Sequence, residues 1–580
     1  QNMKRLLGYL RKNLKETILA PLFKMLEASF ELLVPLVVAN MIDIGVAGKD
    51  QGYLIRMGCL MTALGIVGFI SSATAQYFAA KSAVSAGTAM RNDLFAHMGT
   101  FTYQEIDEIG TSTLITRMTS DINQVQNGVN MFLRLFLRSP FVVLGAVFMA
   151  FVVDRRTAMV FAVTIPALFI VVFLILLISM PLYRNVQKQL DDVLQKTREN
   201  LLGIRVIRAF NCQESEMKEF DRSNENLYQR QIFVGKISAL LNPVTYVIIN
   251  LGIIGVLWVG GKQVYAGRLT QGQVVALINY MSQILTELIK LANLMILLSR
   301  TAASLNRVES IFQIEGSIVD GSKDAEVLGA VEVAFDHVSY SYAGSKRPAL
   351  EDISFCTMPG DTIGVIGGTG SGKTTLVNLI PRFYEAGAGK IRIGGQNIRD
   401  FRMENLREKI GFVPQKAALF RGTLRDNMRW GKQDATDEEI YEALKTAQAL
   451  DFVEQKGEGL DLMIQQNGRN LSGGQKQRLT IARALVRRPS ILILDDSASA
   501  LDFATDARLR KAIARRTDQM TVFLVSQRVS AVKNADQILV LDNGRTAGKG
   551  THRELLRNCQ IYREICESQM TREEVEADAR

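Results

Sequence analysis

Residues 57–80, 157–183 and 237–261 contain no Asp, Glu, Lys or Arg. Each stretch is long enough to cross ~30 Å of hydrocarbon as a helix, which takes about 20 apolar residues. Three such stretches exclude a purely soluble globule. A further segment, roughly 131–153, places Arg134 and Arg138 near one end and is followed by Asp154-Arg155-Arg156, as expected for a span whose cations snorkel to the interface. Residues 269–286 form another uncharged stretch, and residues 17–42 a poorer one interrupted by Lys24, Glu27 and Glu31. Six membrane-spanning helices are expected in the first half of the chain.

The connections alternate in length. Those near 45–54, 154–156 and 263–270 are short, whereas 81–130 and 184–236 are long, polar and free of proline, with helical apolar spacing. The long ones read as helices continuing out of the bilayer on one side. Nine Lys or Arg between Arg184 and Arg230 assign that side to the cytoplasm, although eight acidic residues lie among them. Before the first span, residues 4–12 mix cations with apolar residues as an interfacial helix would. No contiguous apolar core with a small-residue cleavage site follows, so a cleavable signal peptide is not expected. Lys24, Glu27 and Glu31 share roughly one helical face. A substrate-lining role competes there with a simple Lys24–Glu27 pair, and Glu287 and Lys290 stand in the same position.

The 580 residues carry 68 Lys and Arg against 58 Asp and Glu, a formal net charge of +10 that membrane proteins acquire from cations kept on the cytoplasmic side. Nucleic-acid binding has no motif beyond that charge. Five cysteines form no C-x-x-C pair, which argues for buried thiols rather than disulfides or zinc, and three histidines make a histidine metal centre improbable. Across 311–329 the apolar run stops and Gly, Asp and Ser accumulate. The domain boundary is expected there: a membrane domain over 1–315, a linker over 316–328 and a second domain over 329–580.

Residues 362–366 read as a short strand, followed by Gly367-Gly368-Thr369-Gly370-Ser371-Gly372-Lys373-Thr374 and a helical run from Thr375. Strand, G-x-x-x-x-G-K-T loop and helix together form a P-loop. Residues without Cβ let backbone N–H groups close around phosphate oxygens, and the helix N-terminus favours the anion. Lys373 supplies a point charge to the terminal phosphates of ATP, and the Thr374 hydroxyl is placed to ligate Mg²⁺. Downstream, the apolar run 491–494 ends in Asp495, the Walker B arrangement that holds Mg²⁺. Between these motifs lies Leu471-Ser472-Gly473-Gly474-Gln475, opening a helix and forming a second anion-binding surface. One triphosphate cannot occupy both surfaces of a compact domain.

With LSGGQ about 20 residues before Walker B and about 100 after the P-loop, the chain resembles the ATP-binding cassette (ABC) family. Six spans ahead of the cassette make it similar to an ABC exporter half-transporter over essentially its whole length. The implied fold is a membrane α-helical bundle of six helices extended into the cytoplasm, followed by an α/β P-loop nucleotide-binding domain. The resemblance further implies that two cassettes pair head to tail, each ATP lying between one chain's Walker motifs and the other's signature. It makes Tyr342 the adenine-stacking aromatic, Gln415 the Q-loop residue touching Mg²⁺, and Ser499-Ala500-Leu501-Asp502 the D-loop. It also makes the turns near 103–107 and 211–220 coupling helices resting on the cassettes.

The sequence departs from the family pattern at two catalytic positions. Asp496 stands where the family carries the Glu that polarises the attacking water, withdrawing the carboxylate by roughly 1.5 Å against a tolerance near 1 Å. Gln527, in Val525-Ser526-Gln527-Arg528, replaces the switch His and cannot become a cation or shuttle a proton. Gln466 also stands where exporters usually have Glu. The expectation is a subunit that binds ATP at a slow, degenerate site and lends Ser472, Gly473, Gly474 and Gln475 to a competent site on an unlike half-transporter carrying Glu and His. The expected cargo is an amphipathic, drug-like solute moved out across the plasma membrane. A homodimer with weak ATPase activity, or an ATP-binding regulatory membrane protein without transport, stays open.

Overall fold

The computed structural model describes residues 2–324, 330–497, 500–515 and 520–579. They form two compact units, one of residues 1–99 and 112–314, the other of 100–111 and 315–580. Residues 325–328 of the expected linker lie outside the described residues, as do Ala498 and Ser499 of the D-loop.

Among the described residues, the first unit contains six helices long and apolar enough to cross a membrane: Leu14–Val46, Gln51–Met98, Thr111–Val153, Arg155–Leu202, Gln213–Tyr265 and Gln271–Phe312. Several run well past the ~30 Å of hydrocarbon, as the polar, helically patterned connections predict. Pro21 and Pro35 lie within the first span, and Pro166 and Pro181 within the fourth. Spanning helices tolerate proline because neighbouring groups satisfy the freed carbonyls. The core between helices uses small residues at close contacts. Ala28, Ala146, Ala150 and Ala158 are fully buried, and a Cβ on Gly145 would lie 2.4 Å from Leu32 Cδ1. Tyr280, fully buried, donates its hydroxyl to Leu32 O at 2.7 Å.

Two expectations are corrected here. Arg138 does not snorkel. It opens its helical segment facing the first and sixth spans, where its guanidinium donates to Glu31 at 2.6 Å and Glu287 at 2.5 Å. Two carboxylates within hydrogen-bond reach outweigh the route to the interface. The short helix in the second long connection is Ile204–Ala209, upstream of 211–220, because Asn211 takes a left-handed φ of +55° and turns the chain into the next helix. Lys24 pairs with Glu27 at 2.5 Å. The expectation of buried thiols holds for Cys559 and Cys566, whereas Cys59, Cys212 and Cys356 are exposed.

The second unit is built on a six-stranded sheet in the order β12-β11-β3-β10-β9-β6. Here β3 is Thr362–Gly367, β6 Ile410–Val413, β9 Ile491–Asp495, β10 Thr521–Val525, β11 Gln537–Asp542 and β12 Arg545–Gly550. All neighbours pair in parallel except β11 and β12. The continuous burial of β9 and β10 is what a parallel sheet covered on both faces requires. A four-stranded antiparallel sheet, β2-β1-β4-β5, joins β1 (Val333–Tyr340), β2 (Leu350–Cys356), β4 (Ala388–Ile393) and β5 (Gln396–Asn397). A two-stranded pair, β7 (Gly422–Thr423) and β8 (Met463–Ile464), completes the strands among the described residues. The short helix Tyr103–Ile109 also belongs to this unit. Its Tyr103 ring lies 4.6 Å from Phe383, and Asp107 accepts from the Tyr384 hydroxyl at 2.7 Å.

Candidate nucleotide site

Parallel pairing sets the site's location. Val525, ending β10, lies opposite Asp495 of β9 and Val365 of β3, while Val413, ending β6, lies opposite Leu494. The loops leaving β3, β6, β9 and β10 therefore emerge at one edge of the sheet, where open α/β folds bind ligands. Those loops carry the P-loop, Gln415, Asp496 and Gln527.

Gly370 and Gly372 adopt φ of +79° and +99°, and a Cβ on Gly372 would meet Ala349 O at 2.7 Å. The loop's path therefore requires glycine there. Lys373 is buried, with its ammonium donating to Gly367 O at 2.9 Å and Gly368 O at 2.6 Å. Burial pulls its pKa down, opposed by Asp496 and Asp495. Thr374 Oγ1 donates to Asp495 Oδ1 at 3.0 Å, joining the P-loop helix to the end of β9. Burial pushes the Asp495 pKa up, with neighbouring Asp496 adding to the effect. Gln415 Nε2 reaches Asp496 Oδ2 at 3.3 Å, and Asp496 itself holds a left-handed φ of +45°.

Of the residues singled out from sequence, Tyr342, Thr369, Gly370, Gly372, Lys373, Thr374, Thr375, Gln415, Asp495, Asp496 and Gln527 line one cavity of about 350 Å³. Gly367, Gly368 and Ser371 complete the loop behind it. Tyr342 lies beyond β1, partly exposed, with its hydroxyl 2.9 Å from Thr375 Oγ1 and its ring edge-on to Tyr384. Ser472, Gly473, Gly474, Gln475 and Asp502 contribute nothing to that lining. Ser472 instead caps the helix Gly473–Val486 through a reciprocal box with Gln475. Asp502 likewise caps the helix Phe503–Ala514, and bonds from Thr505 hold its carboxyl below the usual range.

The residues fit a magnesium nucleotide. Ser371 Oγ is buried without a hydrogen-bond partner, and Thr374, Asp495 and Gln415 bring a hydroxyl, a carboxylate and an amide together, the oxygen donors Mg²⁺ prefers. Sequence reasoning missed Gln569, whose amide donates to Gln527 O at 2.8 Å and accepts from Val529 N at 2.9 Å. No motif marks a glutamine 42 residues downstream.

A six-helix membrane region joined to a P-loop α/β domain defines a membrane-embedded nucleotide-binding protein. The family model described as the ABC transporter transmembrane region matches residues 17–288, and that of the ABC transporter matches residues 350–499. The chain is 37% identical over 572 residues to the ABC transporter ATP-binding protein YfiB of Bacillus subtilis (strain 168), covering 98% of this chain and 99% of that one. It is 33% identical over 481 residues to the probable multidrug resistance ABC transporter ATP-binding/permease protein YheI of the same organism, covering 83% and 82%. It is 30% identical over 565 residues to an ATP-dependent lipid A-core flippase of Chromobacterium violaceum, covering 96% of each. A solved bacterial Atm1-family ABC exporter with ATP bound shares the fold, with a TM-score of 0.78 at 23% identity, covering 96% and 98%. The chain belongs to the ABC transporter family, as a multi-pass half-transporter of exporter architecture: one membrane domain followed by one cassette.

Proposed function

We propose that this chain is one half of an asymmetric, ATP-driven exporter that moves amphipathic solutes out of the cytoplasm by alternating access. Its cassette faces the cytoplasm, its spans cross the plasma membrane, and its partner is an unlike half-transporter carrying Glu and His at the two altered positions. Relatives named for multidrug resistance and for flipping lipid A-core support an amphipathic cargo.

The reading rests on one observation: the binding half of the site is assembled while the cutting half is altered. Thr374 and Asp495 already meet at 3.0 Å, beside Lys373 and the phosphate loop. Lys373 and the loop N–H groups would hold the triphosphate, and Thr374, Asp495 and Gln415 the Mg²⁺, which neutralises phosphate charge when bound. Asp496 shares the cavity, but its carboxylate is one methylene short of the family's Glu. Gln527 presents an amide that can donate a hydrogen bond without carrying a proton. The signature serine and glycines stand outside this cavity, as they would if they served another chain's nucleotide. Slow turnover here would keep the cassettes together while the partner's site cycles.

Single-turnover phosphate release from the isolated chain and from its complex with the co-purifying half-transporter tests this. The chain alone should bind Mg-ATP and release little phosphate, whereas the complex should turn over and drive uptake into inverted vesicles. Brisk release by the chain alone overturns the asymmetry.

A further inference from the structure

Within the membrane unit, Glu31, Arg138 and Glu287 come from the first, third and sixth spans. Each lies about 15 residues, or about 22–24 Å at 1.5 Å per residue, from the short-loop end of its helix. That depth is inside the hydrocarbon, where ionisable groups pair with one another or face a polar cavity. Arg138 bonds both carboxylates, Ser139 Oγ donates to Glu287 at 2.8 Å, and Lys290 reaches Glu287 at 2.9 Å. Arg138 and Glu287 are sealed, with side chains 7% and 3% exposed. Glu31 and Lys290 are 40% and 42% exposed, and both line a cavity of about 350 Å³ between the first and sixth spans.

The chemistry of that cavity is specific. Two cations and two carboxylates make the network neutral overall, yet the wall presents one accessible charge of each sign. Gln283 also lines the cavity, and its Oε1 is buried with no hydrogen-bond partner, an acceptor that costs energy until a donor reaches it. Ser282 and Thr286 direct their hydroxyl protons to backbone carbonyls, so they too offer lone pairs to the cavity. A ligand with a net charge would leave that charge uncompensated in a low-dielectric site. A ligand carrying both signs would not.

We propose that this cavity binds the zwitterionic head group of an amphipathic solute, its ammonium held by Glu31 and Gln283 Oε1 and its anionic group by Lys290. The site deepens the exporter reading and rests on it for its role in transport.

The test uses the full chain in phosphatidylglycerol nanodiscs, which hold no zwitterionic lipid, and fluorescence titration with four probes on one apolar tail. These are Nε-dansyl-lysine, its methyl ester (cation), its Nα-acetyl derivative (anion) and the doubly capped neutral form. The zwitterion should bind about tenfold or more tighter than either singly capped probe. Glu31→Gln should weaken the zwitterion and the ester about tenfold and spare the acetylated and neutral probes. Lys290→Gln should weaken the zwitterion and the acetylated probe and spare the other two. Equal binding of all four probes by the unmodified chain overturns the proposal, even should both variants fail to fold. Equal weakening of all four by both variants also overturns it, because that pattern marks a structural role. ATP-driven uptake of dansyl-lysine into vesicles separates the two claims. Charge-selective binding without uptake refutes the exporter reading and leaves the site. Uptake without charge selectivity does the reverse.

Discussion

The side-chain amide of Gln569 spans the switch segment, donating to the carbonyl of Gln527 at 2.8 Å while accepting the N–H of Val529 at 2.9 Å. That N–H opens the four-residue helix Val529–Val532, so Gln569 acts as a cap supplied from elsewhere in the chain. Gln569→Ala should destabilise the cassette by about 1 kcal/mol, as loss of a helix cap does, and speed hydrogen exchange at Val529. Gln569→Glu keeps the acceptor and should retain most of the Val529 protection while freeing the Gln527 carbonyl. Unchanged exchange at Val529 in the alanine variant would show that the contact carries no energy.

Restoring the two altered groups should restore hydrolysis. Asp496→Glu extends the carboxylate by about 1.5 Å toward the cavity, a shift of the size that changes rates about a hundredfold. Gln527→His returns a group able to carry a proton. The double variant should release phosphate at least about a hundredfold faster than the parent chain in a single-turnover assay, with Mg-ATP affinity nearly unchanged. If Asp496 is already an adequate base, the double variant will show no gain.

How much of this was legible in advance depended on sequence distance. The spans announced themselves because a run without charges is a local property. The P-loop did so because its glycines, lysine and threonine are contiguous between a strand and a helix. Arg138 was misread because its partners Glu31 and Glu287 lie 107 and 149 residues away, and nothing local distinguishes a guanidinium that snorkels from one that turns inward. Asn211 mattered through its backbone, whose left-handed turn moved the short connecting helix upstream to Ile204–Ala209. Gln569 was invisible because capping of a distant segment leaves no periodic mark.

Asp495 should make both stability and magnesium binding depend on pH. Burial raises its pKa in the folded chain above the ordinary Asp value near 3.9. Stability linked to a raised pKa is fully present below the unfolded-state value and is lost as pH rises through the folded value. At neutral pH without metal, Asp495→Asn should therefore melt at a higher temperature than the parent. The difference should close on acidification through the raised pKa, where Asp495 takes up a proton. On the proposed reading the Asp495 carboxylate helps to hold Mg²⁺, so Mg-ATP affinity should fall over the same interval in the parent and be weakened about tenfold or more by Asp495→Asn at neutral pH. Melting curves with and without Mg-ATP across pH check both, and a parent–variant difference independent of pH would contradict the linkage.

Arg138 bonds two carboxylates of the membrane unit, Glu31 and the buried Glu287, and its removal should show how the three are coupled. Glu287 is 3% exposed and, among the described residues, would keep Lys290 and Ser139 as partners. Breaking a buried pair from one side typically costs about 3–5 kcal/mol, chiefly because the remaining charge is stranded. Arg138→Met should therefore lower the unfolding midpoint of the chain in nanodiscs more than Glu31→Gln, whose carboxylate is partly exposed and leaves Arg138 its second partner. Combining Arg138→Met with Glu287→Met removes the stranded charge and should recover a substantial part of the loss, a coupling of about 1 kcal/mol or more in a double-mutant cycle. Strict additivity of the two substitutions would mean that the Arg138–Glu287 contact at 2.5 Å is geometric proximity without energetic consequence.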